Sequence, residues 1–170
     1  MAIPKGYLDT CIVSGLAKND LKPEEGSALL RILEARELGV LEIVTSAVTK
    51  TEIDRVPLQH RARHTREFEL LARVPNAPIH IGSTRFLGGP VLAAEWREDP
   101  LFGQLRNLLP DAEDAEHAFQ ASRSGAEHLI TVDRKTFLRY SAEVVKLCGV
   151  KLVTPVEFVE TVVKPLSTGE

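Results

Sequence analysis

Cysteine is scarce in this chain. Its 170 residues include two, Cys11 and Cys148, far apart and in neither a CxxC pair nor a metal-ribbon spacing. That excludes a disulfide framework or thiolate metal site, and both read as reduced, partly buried small apolar residues. Aromatic residues make up 5%, and Trp96, the sole tryptophan, reads as a core or interface residue, with base stacking as the alternative. No run approaches the roughly 18 consecutive apolar residues of a membrane span. The opening MAIPKGYLDT lacks the basic and apolar regions of a signal peptide, so the expectation is a cytoplasmic protein. Glycine-rich phosphate loops of the GxGxxG or GxxxxGK type are missing, as are internal repeats, low-complexity segments and linkers. A broad basic field is also missing: 21 Lys+Arg stand against 24 Asp+Glu, a net charge of −3. Any contact with nucleic acid must therefore be local.

What is present is ordinary for one folded domain. Apolar residues make up 44% and charged residues 26%, with enough length to bury a core unaided by staples. The charge is unevenly spread. Arg55, Arg61, Arg63, Arg66 and Arg73, with His60 and His64, make one stretch basic; Asp111, Glu113, Asp114 and Glu116 make a later one acidic.

Apolar periodicity and breakers predict strands alternating with helices. A first strand ends near Leu8, and Asp9-Thr10 turn into a short helix through Leu16. A clear amphipathic helix opens at Pro23 and is stopped by Gly39. The run Val40-Leu41-Glu42-Ile43-Val44-Thr45 reads as a second strand, Ser46 as an N-cap, and Pro57 as the end of the helix it opens. A long basic helix is predicted over 58–74, a short strand over 79–81, a loop at Gly88-Gly89-Pro90, a helix over 91–97 and a helical piece after Pro100. Another helix runs over 111–124 to Gly125, then a strand over 128–131, a helix over 134–147 closed by Gly149, and a strand over 150–154 before Pro155 opens a last helix. This order implies a single α/β domain over 1–170, an α/β/α sandwich with a mainly parallel sheet covered on both faces.

In such sheets ligands collect beyond the carboxyl ends of the strands, where helix N-termini converge. Asp9 follows the first strand, Glu52 lies in the helix after the second, Asp114 near a helix start and Asp133 just after the strand ending at Thr131. Singly, each acid has a plainer account. Asp9 and Asp133 suit N-caps, and Asp114 suits a helix dipole. Glu52 shares a stripe with Val48 and Val56, while Lys50, Asp54 and Arg55 take the solvent side, so its carboxylate needs a partner.

Jointly the acids belong to an ordered set: Asp9-Thr10 after an apolar strand, Thr45-Ser46 with Glu52 downstream, Asp114-Ala115-Glu116-His117-Ala118-Phe119-Gln120-Ala121, and Gly125-Ala126-Glu127-His128-Leu129-Ile130-Thr131-Val132-Asp133. This set resembles the PIN domain, as does Val153-Thr154-Pro155-Val156-Glu157-Phe158, and the resemblance spans all but about 57–109. It implies a ribonuclease that leaves 5′-phosphate and 3′-hydroxyl ends. Asp9, Glu52, Asp114 and Asp133 would be its catalytic and metal-site acids, with Asp111 an alternative to Asp114. Thr10, Ser46 and Thr131 would be supporting hydroxyls. Carboxylates without an ordered Cys/His set suit Mg²⁺ or Mn²⁺ rather than Zn²⁺. Within this role Glu52 either ligates or orients the attacking water.

The stretch 59–73, with Arg61, Arg63 and Arg66, would hold RNA phosphates, or else is a solvated face balanced by Glu67 and Glu69. His117 reads as a helix-surface or packing residue rather than a catalytic one. Because the resemblance includes VapC-type toxins, it implies an antitoxin protein as one partner and a homodimer as the assembly, with housekeeping RNA processing as the other role. If Asp133 shares a crowded acidic rim, Asp133→Asn is expected to relieve repulsion there. Two other readings compete. One is a PIN-fold module without useful catalysis, binding RNA or assembling with protein, against which the intact acidic set argues. The other is a haloacid-dehalogenase-type phosphatase, which Asp9-Thr10-Cys11 does not match because it lacks the DxD pair.

Overall fold

The fold was described from a computed structural model, which defines residues 3–72 and 98–167. Four short strands, β1 (Lys5–Leu8), β2 (Glu42–Val44), β3 (His128–Ile130) and β4 (Lys151–Val153), form one sheet in the order β2-β1-β3-β4. Every pair is parallel, with Gly6 beside Ile43 and His128, and Leu129 beside Leu152. Parallel neighbours need crossovers, and helices supply them: α1 (Thr10–Lys18), α2 (Pro23–Glu37), α3 (Ala47–Arg55), α4 (Leu58–Ala72), α5 (Pro100–Leu108), α6 (Ala112–Arg123) and α7 (Ser141–Cys148); after β4 comes α8 (Pro155–Phe158), running on through a π-helical turn at Val159–Val163.

Successive strand side chains point to opposite faces, and the sequence supplies an apolar residue on both. Leu8, Ile43 and Ile130 pack with Ile12, Leu29, Ile32 and Phe158 on one side. Tyr7, Val44, Leu129 and Leu152 pack with Leu105, Phe119 and Val144 on the other. Two cores result, one under each helical layer, which is the α/β/α sandwich expected of apolar strands in a parallel sheet. Gly39 and Gly149 end α2 and α7 at φ +73° and +77°, the left-handed geometry that glycine adopts without strain.

The strands before Asp9, Ser46, Asp133 and Pro155 all lie in this sheet. One helix differs from expectation: the segment predicted as helical over 134–147 becomes helix only at Ser141, after turns and a single 3₁₀ turn at Leu138–Tyr140. The cause is local. Asp133 Oδ1 accepts from the Lys135 and Thr136 N–H groups, and Oδ2 from Thr136 Oγ1 at 2.6 Å, so a side chain folds the chain where helix bonds would begin. The elements expected within 79–97 lie outside the described residues, as do Arg73 and Trp96.

Candidate active site

Asp9 stands where β1 ends and α1 begins. Its N–H still bonds Ile130 O at 3.1 Å, continuing the sheet, while its backbone has turned to the N-cap conformation of α1. Its side chain makes no capping bond. Instead Oδ2 accepts from Thr131 Oγ1 at 2.6 Å, and the group is 5% exposed. The plain N-cap account therefore leaves the Asp9 carboxylate unexplained. It fits other residues better. Ser46 Oγ caps α3 through Val48 N–H at 3.2 Å, Asp111 Oδ1 caps α6 through Glu113 N–H at 2.8 Å, and Asp133 makes the turn described above.

The centre of the rim is a histidine. His117 is 1% exposed and joins three elements. Its Nδ1 lies 2.8 Å from Tyr7 Oη on β1. Its Nε2 lies 2.9 Å from Glu52 Oε2 on α3, 3.1 Å from Thr10 Oγ1 and 3.5 Å from Asp9 Oδ1. Thr10 Oγ1 also donates to Glu52, and Tyr7 Oη is 2.6 Å from Ser46 Oγ. A second hydroxyl row backs this one: Thr45 donates to Leu8 O at 3.1 Å and lies 2.9 Å from Thr49 Oγ1. Burial works against a charged imidazole, but Tyr7, Glu52 and Asp9 overcome it and hold the His117 pKa well above the usual histidine range. Burial likewise works against a charged Glu52, yet the His117 bond and charge with the Thr10 hydroxyl bring its pKa below the ordinary value.

The relief at Asp114 is smaller, from the Thr136 hydroxyl alone. Three residues before His117, it faces inward from the first turn of α6 and is 9% exposed. Its Oδ2 is buried and has no hydrogen-bond partner. Burial, then the negative charges of Asp9, Asp111 and Asp133, push its pKa up to about 7. Like charges and desolvation both disfavour the ionised form. Asp133 goes the other way: although burial opposes charge, the Thr136 and Lys135 donors lower its pKa. The strain of the acidic group is thus concentrated on Asp114, and Asp133 is a satisfied turn carboxylate within its electrostatic reach.

One further neighbour completes the rim. Cys11 Sγ lies 3.1 Å from Thr131 Oγ1 and accepts from Val132 N–H at 3.2 Å; burial and then Asp9 push its thiol well up, so it stays protonated. Of the sequence-derived set, Asp9, Thr10, Glu52, Asp114 and Thr131 come together here. Ser46 reaches the rim only through Tyr7, and Asp111 remains an exposed cap. The sequence assigns His117 to a helix surface or to packing; it is buried, at the centre of the rim, and Tyr7 and Thr49 carry no sequence signal. The signal for His117 was its spacing: three residues after Asp114, it lies on the same helical stripe as Ala118 and Ala121.

Away from the rim, Arg61 Nε donates to Val56 O at 3.1 Å, and Arg63 and Arg66 are exposed on α4. Arg63 lines a cavity of about 610 Å³ with Lys18, His60 and His64, where α1 meets α4.

Among the described residues no three His, Cys, Asp or Glu side chains form a ready metal-holding group. The donor chemistry suits a hard cation all the same. A buried carboxylate oxygen without a partner, crowded by other carboxylates, is relieved by a positive charge. Asp9 and Asp114, with Asp133 beside them, are the residues that would hold one.

Fold and rim together define a class: a parallel α/β/α protein with a buried carboxylate, hydroxyl and imidazole cluster at the carboxyl ends of β1 and β3. No family model matches the chain, and no curated protein matches it. No helix among the described residues is long and apolar enough to cross a membrane.

Proposed function

We propose that the chain is a metal-dependent ribonuclease of the PIN type, hydrolysing phosphodiesters at the Asp9–Asp114 rim. The observation that carries this is Asp114, a nine-tenths buried carboxylate with an unpartnered oxygen and a pKa pushed up to about 7 by burial and by its acidic neighbours. A structural acid in a folded protein is normally paired; one left unpaired beside others suits a cation site.

In this reading Asp9 and Asp114, with Asp133 directly or through water, would hold Mg²⁺ or Mn²⁺. When bound, the ion supplies charge stabilisation at the phosphate and lowers the pKa of a water. The chain's own groups set the geometry. Thr131 fixes the Asp9 carboxylate through Oδ2, and Thr10 and His117 fix that of Glu52 through Oε2. Glu52, held ionised, accepts a hydrogen bond from the attacking water and orients it. Arg63 and Arg66 on α4 receive phosphates of the RNA strand away from the cut.

Incubation of the purified chain with total RNA, with EDTA, Mg²⁺ or Mn²⁺, and mapping of the ends tests this. The expected result is cleavage only with metal, leaving 5′-phosphates. Cleavage that ignores EDTA, or leaves 2′,3′-cyclic phosphates, would overturn the reading. Binding of RNA without cleavage under all three conditions would favour the non-catalytic module.

A further inference from the structure

His117 competes with metal for part of the rim. Its Nε2 is 2.9 Å from Glu52 Oε2 and 3.5 Å from Asp9 Oδ1. A cation held by Glu52 Oε2 would need the lone pair towards which the Nε2–H points.

The ring is not free to leave. A continuous hydrogen-bond chain holds it: Val48 N–H donates to Ser46 Oγ at 3.2 Å, Ser46 Oγ lies 2.6 Å from Tyr7 Oη, Tyr7 Oη 2.8 Å from His117 Nδ1, and His117 Nε2 2.9 Å from Glu52 Oε2. The Glu52 carboxylate oxygen accepts, so Nε2 carries the hydrogen of that bond whether the ring is neutral or charged. Tyr7 is fully buried, and its ring meets the imidazole edge-on at 5.7 Å between centroids. Glu52 Oε2 is further taken by the Thr10 hydroxyl. Asp114 Oδ2, one helical turn before His117, is a buried carboxylate oxygen without a hydrogen-bond partner.

We propose that His117 closes the Glu52 half of the rim to metal, so that the site takes a single divalent cation, on the Asp9–Asp114 side, and Glu52 is not a ligand. This rests on the metal-dependent reading above and adds the number of ions and the residue that sets it. In that role His117 is a positioning residue, acting through Glu52.

Titration of the full chain with Mn²⁺, following free Mn²⁺ by electron paramagnetic resonance, tests it without reference to cleavage. The parent is expected to bind one ion. Glu52→Gln is expected to keep one site, weakened about tenfold, the Coulomb effect of one charge lost about 6 Å from a divalent ion in a water-like medium. His117→Ala, which frees Glu52, is expected to bind two. Two sites in the parent, loss of measurable binding in a folded Glu52→Gln, or one site in a folded His117→Ala would overturn the proposal. If His117→Ala does not fold, the parent and Glu52→Gln decide. No binding by the folded parent would overturn the metal-dependent reading along with it, whereas two sites would overturn this inference alone.

Discussion

At Asp114 the energetics of the rim take a measurable form. A carboxyl whose pKa is about 7 in the folded chain and near 4 when unfolded is held more tightly as the protonated acid by the folded state. Stability is therefore greatest below the unfolded value and falls as pH rises from about 4 to about 7, the window between the two. Asp114→Asn removes that penalty. Without divalent metal it is expected to be more stable than the parent at pH 8, by an amount on the order of 2 kcal/mol, with the difference vanishing near pH 4. Urea unfolding in EDTA across that range measures it; a mutant less stable than the parent at pH 8 would contradict the account. Asp133, the residue from which the sequence alone leads one to expect such relief, accepts three donors from Lys135 and Thr136. Its replacement takes away turn bonds as well as the repulsion it exerts on Asp114. The two acids look alike in sequence because both follow their elements at plausible rim positions. They differ because one side chain is occupied by its own backbone and the other faces inward.

Among the elements, α8, which follows the last strand, shows how short sequence signals start a helix. Thr154 Oγ1 accepts from Glu157 N–H at 3.2 Å, and Glu157 Oε2 accepts from Thr154 N–H at 2.8 Å, with Pro155 in the first turn. This capping box starts a helix that carries Phe158 into the core beneath Gly6, whose added Cβ would stand 3.1 Å from that ring. Thr154→Ala is expected to cost about 1 kcal/mol, and Thr154→Ala with Glu157→Ala less than the sum of the two, since each bond depends on the same turn. Thermal melts of the three variants decide; strict additivity would contradict a reciprocal box. Caps of this kind were legible: Ser46, Pro23, Gly39, Gly149 and Pro155 all lie where their chemistry puts them. So were the strands, because residues that bury both faces leave continuous apolar runs. The helix expected from Arg134 was not legible as a turn, because the competing bonds come from the side chain of Asp133. His117 was not legible as the hub because its partners, Tyr7, Thr10 and Glu52, lie more than 60 positions away in sequence and meet only when β1 and α3 are set beside α6.

For the whole molecule, the sheet order β2-β1-β3-β4 places β1 between β2 and β3, so the loops after β1 and β3 open side by side and that after β2 lies next to them. That is where parallel α/β proteins gather ligands, and it brings Asp9, Thr131 and the start of α3 to one rim. The two apolar layers pack on either side of this sheet. The central claim is that these acids cut RNA with a metal ion, and Asp9 tests it most directly. Its carboxylate caps nothing, and Asp9→Asn keeps its shape and can still accept from Thr131. The measurement is the rate of RNA cleavage at saturating Mn²⁺ for the parent and for Asp9→Asn verified as folded. The account predicts a fall of about 100-fold or more with the fold intact; cleavage by the folded Asp9→Asn protein at the parent's rate would contradict it.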